Sequence, residues 1–254
     1  MGRVLAIVSQ KGGVGKTTTA VNLAAALARR GIKTLLVDTD PQGSVRFGLG
    51  LYSPEYRLGI SDYVSGAAEM YEIIQATQLP WLRVALAGSI SEGGSHDVYH
   101  QAFAASPRVG ELFARAVERG YVVIVDTPPG LGPIVHRVLG CSQRVLVPLQ
   151  CEPAAMQTTA QILRGIRNVV MENPQLTFEG ILLTMYEQGN PVSERVASHV
   201  RLQLPQLVFD VVVPRTFAST DAVAAGQPVV VRSPDDAAAR AYVAIADQLI
   251  PVLL

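Results

Sequence analysis

Short runs of apolar, largely β-branched residues alternate along the chain with longer stretches whose apolar positions recur at helical spacing. The runs predict strands at Val4–Ser9, Thr34–Asp38, Leu82–Leu86, Val122–Asp126, Arg144–Pro148, Phe178–Thr184, Leu207–Val212 and Val229–Arg232. Between the first two, Thr17–Arg30 carries Ala and Leu on every face and is followed by Gly31, the pattern of a buried helix with a glycine C-cap. Strand, helix and strand in that order make a right-handed βαβ unit, and hence a mainly parallel sheet. The runs are apolar nearly throughout rather than alternating, so helices are expected over both faces of that sheet. Further helices are predicted at Val109–Arg119 and Met156–Glu172. Ser233-Pro234-Asp235 opens a terminal helix over Asp235–Leu249, which Pro251 is expected to stop. The section from Gly48 to Gly94 is the least regular and reads as a helix–loop insertion. No internal repeat or low-complexity linker interrupts the pattern, which predicts one α/β domain over residues 1–254.

Composition narrows the class without naming it. A chain of 254 residues can bury one large core, and 49% hydrophobic against 17% charged residues describes a globular protein. The 21 Lys and Arg balance the 21 Asp and Glu, so attraction to nucleic acid or acidic membrane would have to come from a local patch. Only Lys11, Lys16 and Lys33 are lysines, and two of them fall in one short motif. Cys141 and Cys151 match no zinc spacing and read as reduced thiols of a cytosolic protein. The run Val4–Val8 is too short for a signal peptide, and no stretch approaches the ~20 apolar residues of a membrane span, so a soluble, cytoplasmic protein is expected.

Candidate chemistry concentrates after the first predicted strand, in Lys11-Gly12-Gly13-Val14-Gly15-Lys16-Thr17-Thr18. Glycines let backbone N–H groups turn inward around phosphates, and the N-terminus of the following helix adds partial positive charge. In that arrangement Lys16 reaches the β- and γ-phosphates of a nucleotide and the Thr17 hydroxyl ligates Mg²⁺. The general motif has glycine where this chain has Gln10, and a second lysine, Lys11, follows it. Downstream, Asp38-Thr39-Asp40-Pro41-Gln42-Gly43 closes the second strand, and Asp126-Thr127-Pro128-Pro129-Gly130 closes an apolar strand. Carboxylates at the carboxyl ends of parallel strands sit in the crevice where such sheets bind ligands, although they can also serve as helix caps.

With Lys11 in place the loop resembles the deviant Walker A sequence of the ParA/MinD family of ATPases. Asp-x-Asp-Pro-Gln-Gly matches the ParA form of the second Walker motif, and the resemblance extends from Arg3 to Leu249. It implies a P-loop NTPase fold with a twisted, mainly parallel sheet, ATP and Mg²⁺ as cofactors, and slow, partner-stimulated hydrolysis. By the same resemblance, Lys11 crosses the interface of an ATP sandwich homodimer to touch the partner's phosphates. Asp40 orients or activates the attacking water, Asp38 supports the Mg²⁺ shell, and Asp126 holds a Mg²⁺-bound water, with Pro128-Pro129-Gly130 as a switch loop. Val147–Glu152, Leu182–Tyr186 and Val213–Arg215 look like further family segments, which implicates Met185 and Pro214 as adenine contacts.

Among branches of the family, the chain resembles the short, Soj-like ParA type. The tail after Arg240 has no Lys or Arg, unlike the basic amphipathic anchor of MinD-like proteins, so membrane binding is not expected. Cys141 and Cys151 do not match the paired cluster ligands of a nitrogenase-type reductase. The chain begins almost at the first strand, leaving no room ahead of it for a helix-turn-helix. The resemblance implies a positioning switch that segregates DNA or another cargo on a matrix of non-specific nucleoid DNA, stimulated by a ParB-like or adaptor protein. The match to family DNA contacts is partial. Arg215 is retained, whereas Gly189 and Ala218 stand near or at positions where arginines are common. Arg164, Arg167, Arg195 and Arg201 are candidates for a substitute patch, and a protein or MinD-like membrane matrix is the alternative. His96 and His100 share a helix face at i, i+4 but have no third ligand nearby, Gly93-Gly94-Ser95 reads as a loop, and no serine sits in a nucleophile elbow.

Overall fold

The computed structural model describes residues 2–53, 56–88 and 96–254. Within them a seven-stranded sheet runs in the order β3-β4-β2-β5-β1-β6-β7. The strands are β1 Val4–Ile7, β2 Thr34–Asp38, β3 Gln75–Ala76, β4 Leu82–Ala85, β5 Val122–Asp126, β6 Arg144–Gln150 and β7 Thr177–Thr184. Every neighbouring pair is parallel except β3, which runs antiparallel to β4 at the edge. The helices are α1 Lys16–Arg29, α2 Val45–Gly48, α3 Ile60–Val64, α4 Met70–Ile73, α5 His96–Ala105, α6 Arg108–Glu118, α7 Pro133–Gly140, α8 Ala155–Glu172, α9 Pro191–Gln203, α10 Phe217–Ala224, α11 Val229–Arg232 and α12 Ala237–Leu253.

The two-residue period of a strand divides its apolar side chains between two cores. Val4, Ala6 and Val8 join Val123 and Val125 beneath α6 and α7, where Phe113 and Val138 are buried. Leu5, Ile7 and Ile124 face the opposite layer, packed against Leu23 of α1 and Tyr242 and Leu249 of α12. Burial on both sides is why the runs read as continuously apolar. It also places the carboxyl ends of β2, β5 and β1 side by side, with the three chemistry-bearing loops along one edge of the sheet.

Three expectations need correction. Val229–Arg232 is the short helix α11 rather than a strand. Pro228 enters it at φ −61°, and Val230 N is taken by Asn22 Oδ1 at 3.2 Å, so tertiary bonding overrides the β-propensity of three valines. Leu207–Val212 meets β7 but forms no regular strand. Phe209 N donates to Ile181 O (3.0 Å) and Val213 N to Leu183 O (2.8 Å), so the segment advances four residues while β7 advances two. That excess breaks the ladder into isolated bridges, Ile181↔Val208 and Tyr186↔Pro214. Pro251 does not stop the last helix, which continues to Leu253. A proline in the final turn forfeits a single bond, while Leu253 beyond it is fully buried. The irregular section after Gly48 holds the end of α2, then α3 and α4, the predicted strand at Leu82–Leu86 appears in it as β4, and the short edge strand β3 is an addition. Gly93-Gly94-Ser95 lies outside the described residues.

Candidate nucleotide-binding site

The loop between β1 and α1 is shaped by two glycines in the left-handed region, Gly13 (φ 79°) and Gly15 (φ 85°). Gly15 is the N-cap of α1 and no side chain caps that end. The first N–H groups of the helix are therefore left to face a ligand. Val14 is buried behind the loop, and its carbonyl accepts the Thr184 hydroxyl at 2.8 Å, which fastens the loop to the end of β7. Gly130 N donates to Ser9 O at 2.9 Å, tying the Pro-Pro-Gly turn to the same loop.

Lys16 is buried (6% exposed) at the mouth of this cradle. Burial pulls its ammonium below the usual lysine range, while the charges of Asp126 and Asp40 pull it back. Thr17 Oγ1 donates to Asp126 Oδ2 at 2.6 Å, and the other oxygen, Oδ1, is buried without a hydrogen-bond partner. Burial pushes the Asp126 carboxyl up to about 7, against the Thr17 hydrogen bond and the Lys16 charge. Asp38 is fully buried. Burial, then the charge of Asp126, holds its carboxyl well above the usual range, with hydrogen bonds from Val45 N and Asp40 N opposing. Those two N–H donors, each at 3.1 Å, show Asp38 shaping the turn and capping the start of α2. Asp40 Oδ1 accepts Gln42 N at 3.0 Å, and its carboxylate lines the cleft. A hydroxyl, a carboxylate and an orphaned carboxylate oxygen on one short arc are the donor set of a hard divalent cation, so the residues fit Mg²⁺.

A cleft of about 620 Å³ runs from Gly12, Gly13, Lys16, Thr17 and Thr18 past Asp40 to Phe47, Ser219 and Gln227–Val229. A second, of about 450 Å³, shares Gly15, Thr18 and Met185 with it and is walled by Pro214, Arg215 and Thr216. Met185 lines both clefts and Pro214 the second, beyond the phosphate loop. Met185 is the one non-glycine with positive φ (50°) among the described residues, and its Cε would lie 3.8 Å from a Cβ on Gly15. Lys11 reaches instead across to Glu152 and forms an ion pair with it, outside the cleft lining. Arg215 pairs with Glu187 at 2.9 Å, and the hydrogen bonds from Asn190 and Arg215 hold that carboxyl below its usual range.

Several residues near the cleft carried no role on motif grounds. Asn22 Nδ2 donates to Thr18 O (2.8 Å) and its Oδ1 accepts Val230 N (3.2 Å), joining the phosphate helix to α11. A buried asparagine in an Ala/Leu-rich helix is the one sequence signal that could have marked it. Glu152 lies in a family-like segment without an assigned part. The Tyr99 hydroxyl is buried and unpartnered, its phenol pushed up by burial and then by the charges of Asp38, Asp40 and Asp62. No group of three or more His, Cys, Asp or Glu gathers as a metal set among the described residues, and both cysteines are free thiols.

The fold and the loop define a P-loop nucleotide-binding protein. Residues 2–178 match the family model described as AAA domain, and the chain belongs to that family, in its ParA-type branch. It is 37% identical over 250 residues to the chromosome partitioning protein ParA of Caulobacter vibrioides, covering 98% of this chain and 94% of that one. Among solved structures it resembles the cell division ATPase MinD of Pyrococcus furiosus, with a TM-score of 0.80 and 25% identity over 99% of this chain and 100% of that one. It also resembles cobyrinic acid a,c-diamide synthase of Mycobacterium smegmatis with bound ADP and magnesium, with a TM-score of 0.79 and 31% identity over 98% and 94% of the two chains.

Proposed function

We propose that residues 1–254 act as one Mg²⁺-dependent ATPase unit that dimerises on ATP and uses hydrolysis to release a positioned cargo. The observation that carries the reading is the arrangement around Asp126. A buried carboxylate oxygen with no partner sits beside the Thr17 hydroxyl and the buried Lys16, at an uncapped helix N-terminus. A Mg²⁺ held there would neutralise negative charge on the phosphates of a bound nucleotide. Thr17 and Asp126 hold the cation, with Asp38 behind them fixing the turn. Gly12, Gly13, Val14, Gly15 and Thr18 present backbone N–H groups to the phosphates, and Lys16 supplies a cation within its own subunit. Asp40 orients the attacking water, Lys11 acts on the partner's phosphates, and Met185 and Pro214 border the base.

The matrix is the finer part of the reading. Similarity to a chromosome partitioning ParA supports non-specific DNA bound by the ATP dimer, with a ParB-like or adaptor protein stimulating release. The Arg215–Glu187 ion pair favours a second reading, a protein matrix, because it occupies the one retained family cation. No helix of the described residues is long and apolar enough to cross a membrane.

Ligand linkage tests the core assignment. Wild type gains melting temperature with ATP and Mg²⁺ by an increment that grows with ligand concentration. Lys16→Ala, lacking the phosphate cation, shows little or none. An equal rise in Lys16→Ala would remove the P-loop assignment.

A further inference from the structure

At the amino-terminal edge of the sheet, opposite the nucleotide cleft, cations and aromatic rings share one face. Four strands enter there side by side, and backbone bonds fix the residue ahead of each. Thr34 N donates to Trp81 O (2.9 Å), Val122 N to Lys33 O (2.8 Å) and Val123 N to Arg3 O (2.9 Å). Trp81, Lys33 and Tyr121 therefore form a row across β4, β2 and β5, at the roughly 4.8 Å spacing of adjacent strands, and Arg3 enters β1 one register position further on, opposite Val122. The last turn of α6 brings Arg115 and Arg119 to the same edge, just before Tyr121. Arg3, Lys33, Arg115 and Arg119 are exposed, as are Trp81 (47%) and Tyr71 (78%).

These four cations are among the exposed ones left without a carboxylate partner, and they are gathered at one end of the sheet. Arg30, Arg108, Arg144, Arg215 and Arg232 each hold a carboxylate, whereas none of the four takes part in an ion pair among the described residues. The acids on α4 and α6 are Glu69, Glu72, Glu111 and Glu118; Glu69 is paired with Arg108, Glu72 caps its own helix through Glu69 N at 2.7 Å, and Glu111 lies in the first turn of α6, at the far end from Arg115 and Arg119. Beside the row, Arg119 and Tyr121 border a cavity of about 190 Å³ whose other walls are Met70, Tyr71, Ile74 and Ala116 over Leu35. It is apolar apart from Arg119 and the two phenols, with room for one large side chain.

We propose that this basal face docks an acidic segment of a partner protein. One Leu, Ile or Phe of the segment enters the cavity between α4 and α6, and its flanking carboxylates meet Arg119, Arg115 and Lys33. Charge complementarity sets the sign of the partner, and the cavity sets its class. Duplex DNA would use the cations but has nothing to place among Met70, Ile74 and Leu35, whereas a buried apolar anchor ringed by charges is a common design of protein interfaces. The strands put the face on the order of 15 Å from Asp38 and Asp126, so partner and nucleotide can bind together.

A selection of displayed random dodecapeptides on the immobilised full chain, followed by fluorescence anisotropy with the best labelled synthetic peptide, tests the proposal. The expected winners carry an excess of Asp and Glu around a single Leu, Ile or Phe. Their affinity falls by roughly tenfold or more in Arg119→Glu and Lys33→Glu and on replacing the anchor by Ser, declines with salt, and is unchanged in Lys16→Ala. Winners without acidic excess, or affinity indifferent to both charge reversals in variants that melt like wild type, would overturn it. So would random-sequence duplex DNA binding that the same reversals abolish while no acidic peptide is enriched, a result that assigns the face to phosphates instead.

Discussion

Lys11 and Lys16 lie five positions apart in one loop and do opposite things. Lys16 is buried among carboxylates and faces the cleft, while Lys11 is half exposed and held by Glu152 on the loop after β6. If Lys11 serves a second subunit, that pair has to open when two copies meet. A partly exposed ion pair is worth about 0–1 kcal/mol, so it can hold the lysine in place without blocking assembly. Lys11→Ala is expected to bind ATP and Mg²⁺ with near wild-type affinity yet to lose ATP-induced dimerisation and most of its turnover. Glu152→Gln, which frees the lysine, should dimerise at equal or lower protein concentration. Sedimentation with a slowly hydrolysed ATP analogue reads both. Wild-type dimerisation in Lys11→Ala would make it a loop residue and no more.

At the scale of elements, α1 works as a beam between phosphate loop and cleft wall. Asn22 is the joint: it accepts from Val230 N at the start of α11 and donates to Thr18 O. Asn22→Ala strands a buried donor and a carbonyl, at a cost of about 1–3 kcal/mol. Because α11 borders the cleft at Val229, the loss should also weaken ATP binding while leaving the Lys16 and Thr17 contacts in place. Urea unfolding with and without nucleotide separates the two effects, and an unchanged nucleotide increment would confine Asn22 to stability. The same helix explains what could be read in advance. β2 and β5 were legible to the residue because they are buried on both faces and their apolar runs carry no competing signal. The phosphate loop was legible because chemistry dictates residue type and spacing together. Val229–Arg232 was not, since its conformation is set by Asn22 from more than two hundred residues away. Nor was the Lys11–Glu152 pair, which links residues with no common motif and needs the β1–β6 register to bring them together.

The whole molecule carries no net charge, so any hold on a nucleic-acid matrix depends on how its cations are distributed. Arg215 is tied to Glu187, while Arg164, Arg167 and Arg195 stand exposed on the outer faces of α8 and α9 without ion pairs among the described residues. An ATP dimer would double whatever patch exists and gain by avidity. Asp40→Ala, which removes the carboxylate proposed to orient the attacking water and leaves the proposed phosphate-binding residues untouched, is expected to accumulate that dimer. Titrated onto random duplex DNA, it should bind only with ATP and Mg²⁺, without sequence preference, and with a log–log salt slope of about 0.9 per phosphate neutralised. Arg215→Glu should weaken the binding and leave dimerisation intact. No binding even at low salt would favour the protein matrix.

The order of strands also sets a timetable for synthesis. β1 leaves the ribosome first but lies between β5 and β6, whose residues follow it by more than a hundred positions, and it never pairs with β2. The nascent chain thus carries its glycine loop and Lys16 through about half of its translation before β5 is made to pair with β1. The far wall of the cleft arrives last, with Met185, Pro214 and finally Gln227–Val229. Contacts this distant in sequence close slowly and late. A polypeptide cut short before α10 owns every phosphate-binding motif but lacks the wall that Ser219, Ala222, Val223, Gln227, Pro228 and Val229 supply, so an unfinished chain is expected to hold nucleotide more weakly than a finished one.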